Sequence, residues 1–257
     1  MIHYRNNGYT LEGISLDPSA PAFRYGAGFF ETLYYNGRDV CHLDMHLDRI
    51  LHSLRSYDIP YTTVDFEEVI HQILNRNGLE KQTARVNIFY PIETEAASPV
   101  ITAAPHDPKP YKAYRLCVCK DRHVSTLNGQ KTTNYMFFHL AMRRAKSRGF
   151  DDAALFDLED NLLEAATGAL VLQKEGQFVC VDSPYRLPST ALALAREVLD
   201  ILPVRLPMEE LTSFRHAYIL NSVIGMRPVV SIGETAFVPN DDPCKEVMQL
   251  VLGDVES

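Results

Sequence analysis

Residues 28–35, Gly-Phe-Phe-Glu-Thr-Leu-Tyr-Tyr, run straight into Asn36-Gly37, the dipeptide that most strongly marks a tight hairpin turn because both positions accept positive φ. A strand, a turn and a return strand are predicted. From Asp44 the period changes. Leu47, Ile50, Leu51 and Leu54 fall at helical spacing and define an apolar stripe, with His42, His46, Arg49 and Ser53 on a polar face beside it. A chain that switches from a strand period to a helix period over so short a distance must build mixed layers of helix and sheet.

The same alternation continues. A second helix is predicted over 66–77, stopped by Gly78, and residues 84–90 alternate polar and apolar as a strand does. Residues 114–119 form a further strand. Between them, residues 105–110 (Pro-His-Asp-Pro-Lys-Pro) are too rich in proline for a regular element. A domain connection falls between 105 and 125. Placed at 115/116, it gives an N-terminal α+β domain, 1–115, and a C-terminal α+β domain, 116–257. Tyr135, Phe138, Met142 and Ala145 recur at helical steps up to Gly149, with Thr132 or Thr133 as the N-cap. Lys131 therefore stands at a loop-to-helix junction. Strands follow at 153–156, 169–172 and 178–181, then a helix carrying Leu192, Ala195, Leu199 and Leu202. Strands at 217–220 and 228–232 precede a last helix over 243–252. No internal repeat or low-complexity tract is visible, and the order suggests two α+β lobes rather than a regular βαβ wind.

The net charge of -8 over 257 residues argues against general affinity for nucleic acid or anionic membrane. Any anion must be held locally. The five cysteines are odd in number and include no CxxC pair, which reads as reduced thiols in a cytoplasmic protein. No apolar run has the length of a signal peptide's core at the start or of a membrane span anywhere, so secretion and membrane insertion are not expected.

Taken singly, the polar residues have bland readings. Lys131 is a solvated lysine at a helix start, Glu164 a strand-edge glutamate and Arg49 a solvated helix arginine. Asn221-Ser222 is a loop ahead of Gly225. His42 and His46 are four apart but lack an acidic third ligand at useful spacing, so no metal site is expected. There is no GxSxG, P-loop or GxGxxG. Gly26-Ala27-Gly28 relieves a tight approach to the strand.

Their joint order says more. Tyr25-Gly26-Ala27-Gly28-Phe29-Phe30-Glu31-Thr32, His46-Leu47-Asp48-Arg49, Lys131-Thr132-Thr133-Asn134-Tyr135, Glu164 and the run from Ile219 to Val229 together resemble the class IV, fold-type IV pyridoxal phosphate enzymes. That family includes branched-chain aminotransferases, D-amino acid aminotransferases and 4-amino-4-deoxychorismate lyases, and the likeness covers most of the chain. It implies a two-domain α+β enzyme of the D-amino acid aminotransferase type with pyridoxal 5'-phosphate as cofactor. Lys131 is then the catalytic Schiff-base lysine, carried by the C-terminal domain, and afterwards the base that moves a proton. Glu164 is the carboxylate that keeps the pyridine nitrogen protonated. Arg49 and Ser222, with Asn221 beside it, hold the phosphate, and Tyr135 partners the ring hydroxyl. Arg85, Tyr25 and Thr32 are the substrate-binding candidates.

Three positions depart from the family pattern. The phosphate turn Gly-Ile-Thr is here Ser189-Thr190-Ala191, whose hydroxyls and first-turn amides still suit an anion. Ala169 stands where an asparagine is common, and Ala27 where an acid is common. Within the family, residues 28–32 and 221–229 look most like the lyase branch. The resemblance therefore implies a lyase making 4-aminobenzoate and pyruvate from 4-amino-4-deoxychorismate, in folate biosynthesis. The alternatives are a branched-chain or D-amino acid aminotransferase, or a catalytically weak relative serving as a binding module. A substrate bearing amino and carboxylate groups and a homodimer go with the enzyme readings.

Overall fold

In the computed structural model, which describes residues 1–15, 17–107 and 110–253, the chain opens with β1 (His3–Arg5), β2 (Gly8–Thr10) and a short helix α1 (Pro21–Tyr25). It continues through β3 (Gly28–Tyr35), α2 (Leu43–Ser56), α3 (Phe66–Arg76), β4 (Ala84–Pro91) and β5 (Val100–Pro105). The five strands make one antiparallel sheet in the order β2-β1-β5-β4-β3. Alternate residues serve its two faces. Leu33 and Tyr35 of β3 and Val86, Ile88 and Tyr90 of β4 join Ile50 and Leu54 of α2 and Ile70 and Ile73 of α3 in one core. The Asp65 side chain caps α3 by accepting from the Glu68 amide at 3.0 Å, and Gly78 follows its end at φ 67°, as the glycine there predicts.

The Asn36-Gly37 turn forms, with the Asn36 side chain accepting from the Arg38 and Asp39 amides. The expected return strand does not. It shrinks to a single bridge between Tyr35 and Val40, with the Cys41 amide donating to the Tyr34 carbonyl at 2.9 Å, and the full-length partner of β3 is β4.

Contacts divide the described residues into two units, the first within 1–107, 130–135 and 252–253, the second within 110–129 and 136–251. The break thus differs from 115/116, and Lys131 belongs to the first unit rather than the second. The reason is backbone pairing: Thr132 bridges Phe29, the Phe30 amide donates to the Lys131 carbonyl at 2.9 Å, and the Thr133 amide donates to Gly28 at 2.9 Å. Pro108 and Lys109, in the proline-rich stretch, lie outside the described residues.

The second unit contains β6 (Tyr114–Val118), α4 (Met136–Ser147), β7 (Asp152–Phe156), β8 (Leu162–Ala165), β9 (Ala169–Lys174), β10 (Gln177–Val181) and α5 (Thr190–Val198). It ends with β11 (Ile201–Val204), β12 (His216–Asn221), β13 (Gly225–Ile232), β14 (Thr235–Ala236) and α6 (Asp242–Leu252). Its sheet runs β11-β10-β9-β12-β13-β6-β7-β8, with β14 on β13. Of the three parallel pairs among the described residues, β6 with β7 and β10 with β11 join consecutive strands through a helix, and β6 with β13 joins strands distant in sequence. Leu199 and Leu202 are not on α5. Leu199 leaves the helix in an extended conformation and Leu202 pairs with Val179 as part of β11. Thr132 and Thr133 do not cap α4, which starts at Met136; the Thr133 hydroxyl donates to Gly26 at 2.6 Å.

Candidate active site

In the first unit, β3 is an edge strand, and residues 131–133 lie along that edge. Pairing occupies backbone groups that an edge leaves open and fixes where the Lys131 side chain starts. Its Nζ sits 4.3 Å from the Phe30 ring centroid and 5.2 Å from that of Tyr135, and these two rings meet edge to face at 5.4 Å. A lysine ammonium held over ring faces is attracted by their quadrupoles.

On the opposite face of β3, the polar face of α2 meets a buried partner that the sequence reading did not assign. His46 and Ser53, read as a polar helix face, are buried, and so is Glu31. Glu31 accepts from Arg49 Nε at 2.7 Å and Nη2 at 2.6 Å, and its Oε2 lies 2.6 Å from His46 Nδ1. Burial alone would raise the Glu31 carboxyl, but hydrogen bonds from His46 and Arg49 and the guanidinium charge overcome it and hold it at about 2. Burial pushes His46 below its ordinary value against the pull of Glu31, and the positive Arg49 and Lys131 push the same way. The imidazole is therefore neutral, with its proton on Nδ1 for Glu31. One turn further along α2, Ser53 Oγ lies 2.6 Å from Gln130 Oε1, beside the lysine in sequence. The spacing 46, 49, 53 was the available signal, but a helix viewed alone cannot say that its polar face will meet a buried partner.

The outward face of β3 and β4 is a ladder of side-chain pairs. Phe30 stacks on Phe89 at 6.0 Å, the Thr32 hydroxyl lies 2.9 Å from Asn87 Oδ1, and Tyr34 is opposite Arg85. Thr32 is buried and Arg85 exposed. Tyr25, exposed at the end of α1, carries Arg24 over its ring at 5.0 Å.

In the second unit, Glu164 is buried on β8, with the Leu187 amide 3.4 Å from both its oxygens. Two residues on, Ser189 caps α5 by accepting from the Leu192 amide at 3.2 Å, and Thr190 is buried in the first turn. Asn221 is largely committed to the turn after β12: its Oδ1 accepts from the Val223 and Ile224 amides and its Nδ2 donates to the Thr167 carbonyl, each at 3.0 Å. Thr167 in turn donates from Oγ1 to buried Asp152 at 2.5 Å. Burial outweighs that bond and those from the Thr167 and Ala153 amides and pushes the Asp152 carboxyl up to about 6.

Taken separately, each unit carries groups of the kinds that pyridoxal 5'-phosphate takes: the first an amine and an oriented guanidinium, the second a buried carboxylate and a hydroxyl-capped helix start. Among the described residues no group of three or more His, Cys, Asp or Glu could hold a metal ion, and no helix is long and apolar enough to cross a membrane.

Comparison with known proteins identifies the family. The family model described as Amino-transferase class IV matches residues 28–232. A "Probable branched-chain-amino-acid aminotransferase" of Rickettsia bellii (strain RML369-C) is 21% identical over 258 residues, covering 91% of this chain and 88% of its own. The branched-chain aminotransferase of the thermophilic archaeon Thermoproteus uzoniensis, solved with norvaline, superposes with a TM-score of 0.87 at 19% identity, over 98% of this chain and 95% of that one. A candidate 4-amino-4-deoxychorismate lyase from Legionella pneumophila subsp. pneumophila str. Philadelphia 1 gives 0.82 at 19% identity, over 93% and 95%.

Proposed function

The chain belongs to the Amino-transferase class IV family, whose enzymes depend on pyridoxal phosphate, and from that premise we propose that it is a lyase converting 4-amino-4-deoxychorismate to 4-aminobenzoate and pyruvate. The cofactor, when bound, supplies an aldehyde that joins primary amines and a protonated ring that draws electrons from the substrate carbon. Lys131 would be joined to it and then, as a free amine, would take the proton from the carbon bearing the substrate nitrogen. Arg49, Ser222 and the α5 start at Ser189 and Thr190 would hold the phosphate, with Asn221 shaping the turn beneath. Glu164 would keep a proton on the ring nitrogen, and Tyr135 would meet the ring hydroxyl.

The observation that carries the lyase reading is spacing along β3 and β4. Lys131 Nζ lies at the Phe30 rung, Thr32 stands one rung on, and Arg85 faces Tyr34 a rung beyond that. Four residues of strand span about 13 Å. An amino acid carries its carboxylate on the carbon that bears the amine, too far for Arg85 to touch. A carboxylate across a six-membered ring from the amine is within an arginine's reach, and Phe30 and Phe89 offer that ring flat apolar walls.

A second reading, an aminotransferase acting on branched-chain or D-amino acids, is supported by the names of the Rickettsia and Thermoproteus relatives. Incubating the holoprotein with 4-amino-4-deoxychorismate and assaying 4-aminobenzoate and pyruvate separates the two. Turnover of amino acid and 2-oxo acid pairs in place of that cleavage selects the aminotransferase. The lyase reading carries with it a homodimer, testable by sedimentation, and a cytoplasmic location, for which the five free thiols are support.

A further inference from the structure

Resting on the reading that Arg49 meets a phosphate, we propose that Glu31 and His46 are positioning residues that fix the guanidinium for that anion. The Glu31 carboxylate takes the Nε and Nη2 edge of Arg49 in a fork, at 2.7 and 2.6 Å. A two-point contact sets both the position and the plane of a guanidinium. Glu31 cannot itself swing, because it is fully buried and its Oε2 is also held by His46 Nδ1 at 2.6 Å. His46 and Arg49 project from adjacent turns of one helix, and Ser53, the next residue on that face, lies against Gln130. The arginine's rotamer freedom is thus lost on folding rather than on meeting the ligand, the condition that favours tight binding.

An opposing effect has to be weighed. A carboxylate beside Arg49 lowers the positive field it presents to a dianion. Orientation wins in this account because the neutral His46 draws on the same carboxylate oxygen, and because a long side chain left loose presents its charge in the right direction only part of the time. The two effects have opposite signs in experiment, which makes the proposal decidable.

The test compares dissociation constants for pyridoxal 5'-phosphate and for pyridoxal, which lacks the phosphate, read from the absorbance of bound ligand. Glu31→Gln keeps the shape but loses the charged fork. It should weaken pyridoxal 5'-phosphate by about tenfold to a hundredfold while pyridoxal changes by less than about threefold. His46→Asn keeps an N–H donor near the Nδ1 position and should stay close to wild type, whereas His46→Leu should reproduce part of the loss. In an Arg49→Lys background, Glu31→Gln should add no further loss, since its route of action is gone. Equal weakening of both ligands in Glu31→Gln, or tighter binding of the phosphorylated one, overturns the proposal. Should that variant fail to fold, the contrast between His46→Asn and His46→Leu decides it by the same ligand ratio. A wild-type protein that takes up neither ligand overturns the functional reading itself.

Discussion

The amide of Phe30 donates to the carbonyl of Lys131 at 2.9 Å, so the amine is placed by β-pairing on the edge of a sheet and not by the start of a helix. Pairing sets the backbone of both residues at once, and the lysine side chain rises over the ring of the residue its carbonyl is bonded to. A lysine rooted this way has little backbone freedom to lose when it does chemistry.

Arg85→Ala separates the two candidate reactions. If Arg85 receives a carboxylate across a ring, the variant should raise KM for 4-amino-4-deoxychorismate by about tenfold with kcat little changed, the pattern of a lost uniform binding contact. Any residual amino acid transamination should be unaffected. An unchanged KM for the ring substrate would sever Arg85 from the site.

Glu31 should make the fold sensitive to acid. Its carboxyl is depressed from 4.5 to about 2, so its stabilisation is fully present above the ordinary value and is lost as pH falls through about 2. The shift corresponds to on the order of 3 kcal/mol. Urea unfolding at several pH values between 5 and 2 should show wild type losing stability more steeply than Glu31→Gln. Parallel curves would mean that the fork does not hold in solution.

Asp152 should act with the opposite sign. Its carboxyl is raised from 3.8 to about 6, so the protonated form favours the fold, and that contribution is present below the ordinary value and lost as pH rises through about 6. The difference in stability between wild type and Asp152→Asn should therefore fall by on the order of 3 kcal/mol from pH 4 to pH 7. A difference independent of pH would contradict the burial that causes the shift.

Gly168 lies where two backbones nearly touch. A Cβ there would stand 2.5 Å from the Leu220 carbonyl oxygen, and neither backbone can yield without disturbing the pairing of Ala169 with Leu220. Gly168→Ala should cost about 1–3 kcal/mol, read as a lower urea midpoint at constant m. A midpoint equal to wild type would show that the close approach is absent.

Elements whose pattern is complete within their own residues could be read from the sequence. Helix α3 declares its stop at Gly78, and β4 alternates from Ala84 to Tyr90. Those whose pattern depends on distant partners could not. Strand β8 is buried at all of its positions and so shows no alternation, while β1 and β5 gain meaning only by pairing with each other and with β4. The site divides the same way. The order of Arg49, Lys131, Glu164 and Ser222 suggested a chemistry through resemblance, but the burial of His46 depends on Glu31, fifteen residues away on a strand.

The most direct measurement is to reduce the pyridoxal 5'-phosphate-loaded protein with borohydride, digest it and weigh the peptides. The account predicts one phosphopyridoxyl group, carried on Lys131, and none in Lys131→Ala treated the same way. A label on another lysine, or a wild-type protein that acquires none, would contradict it.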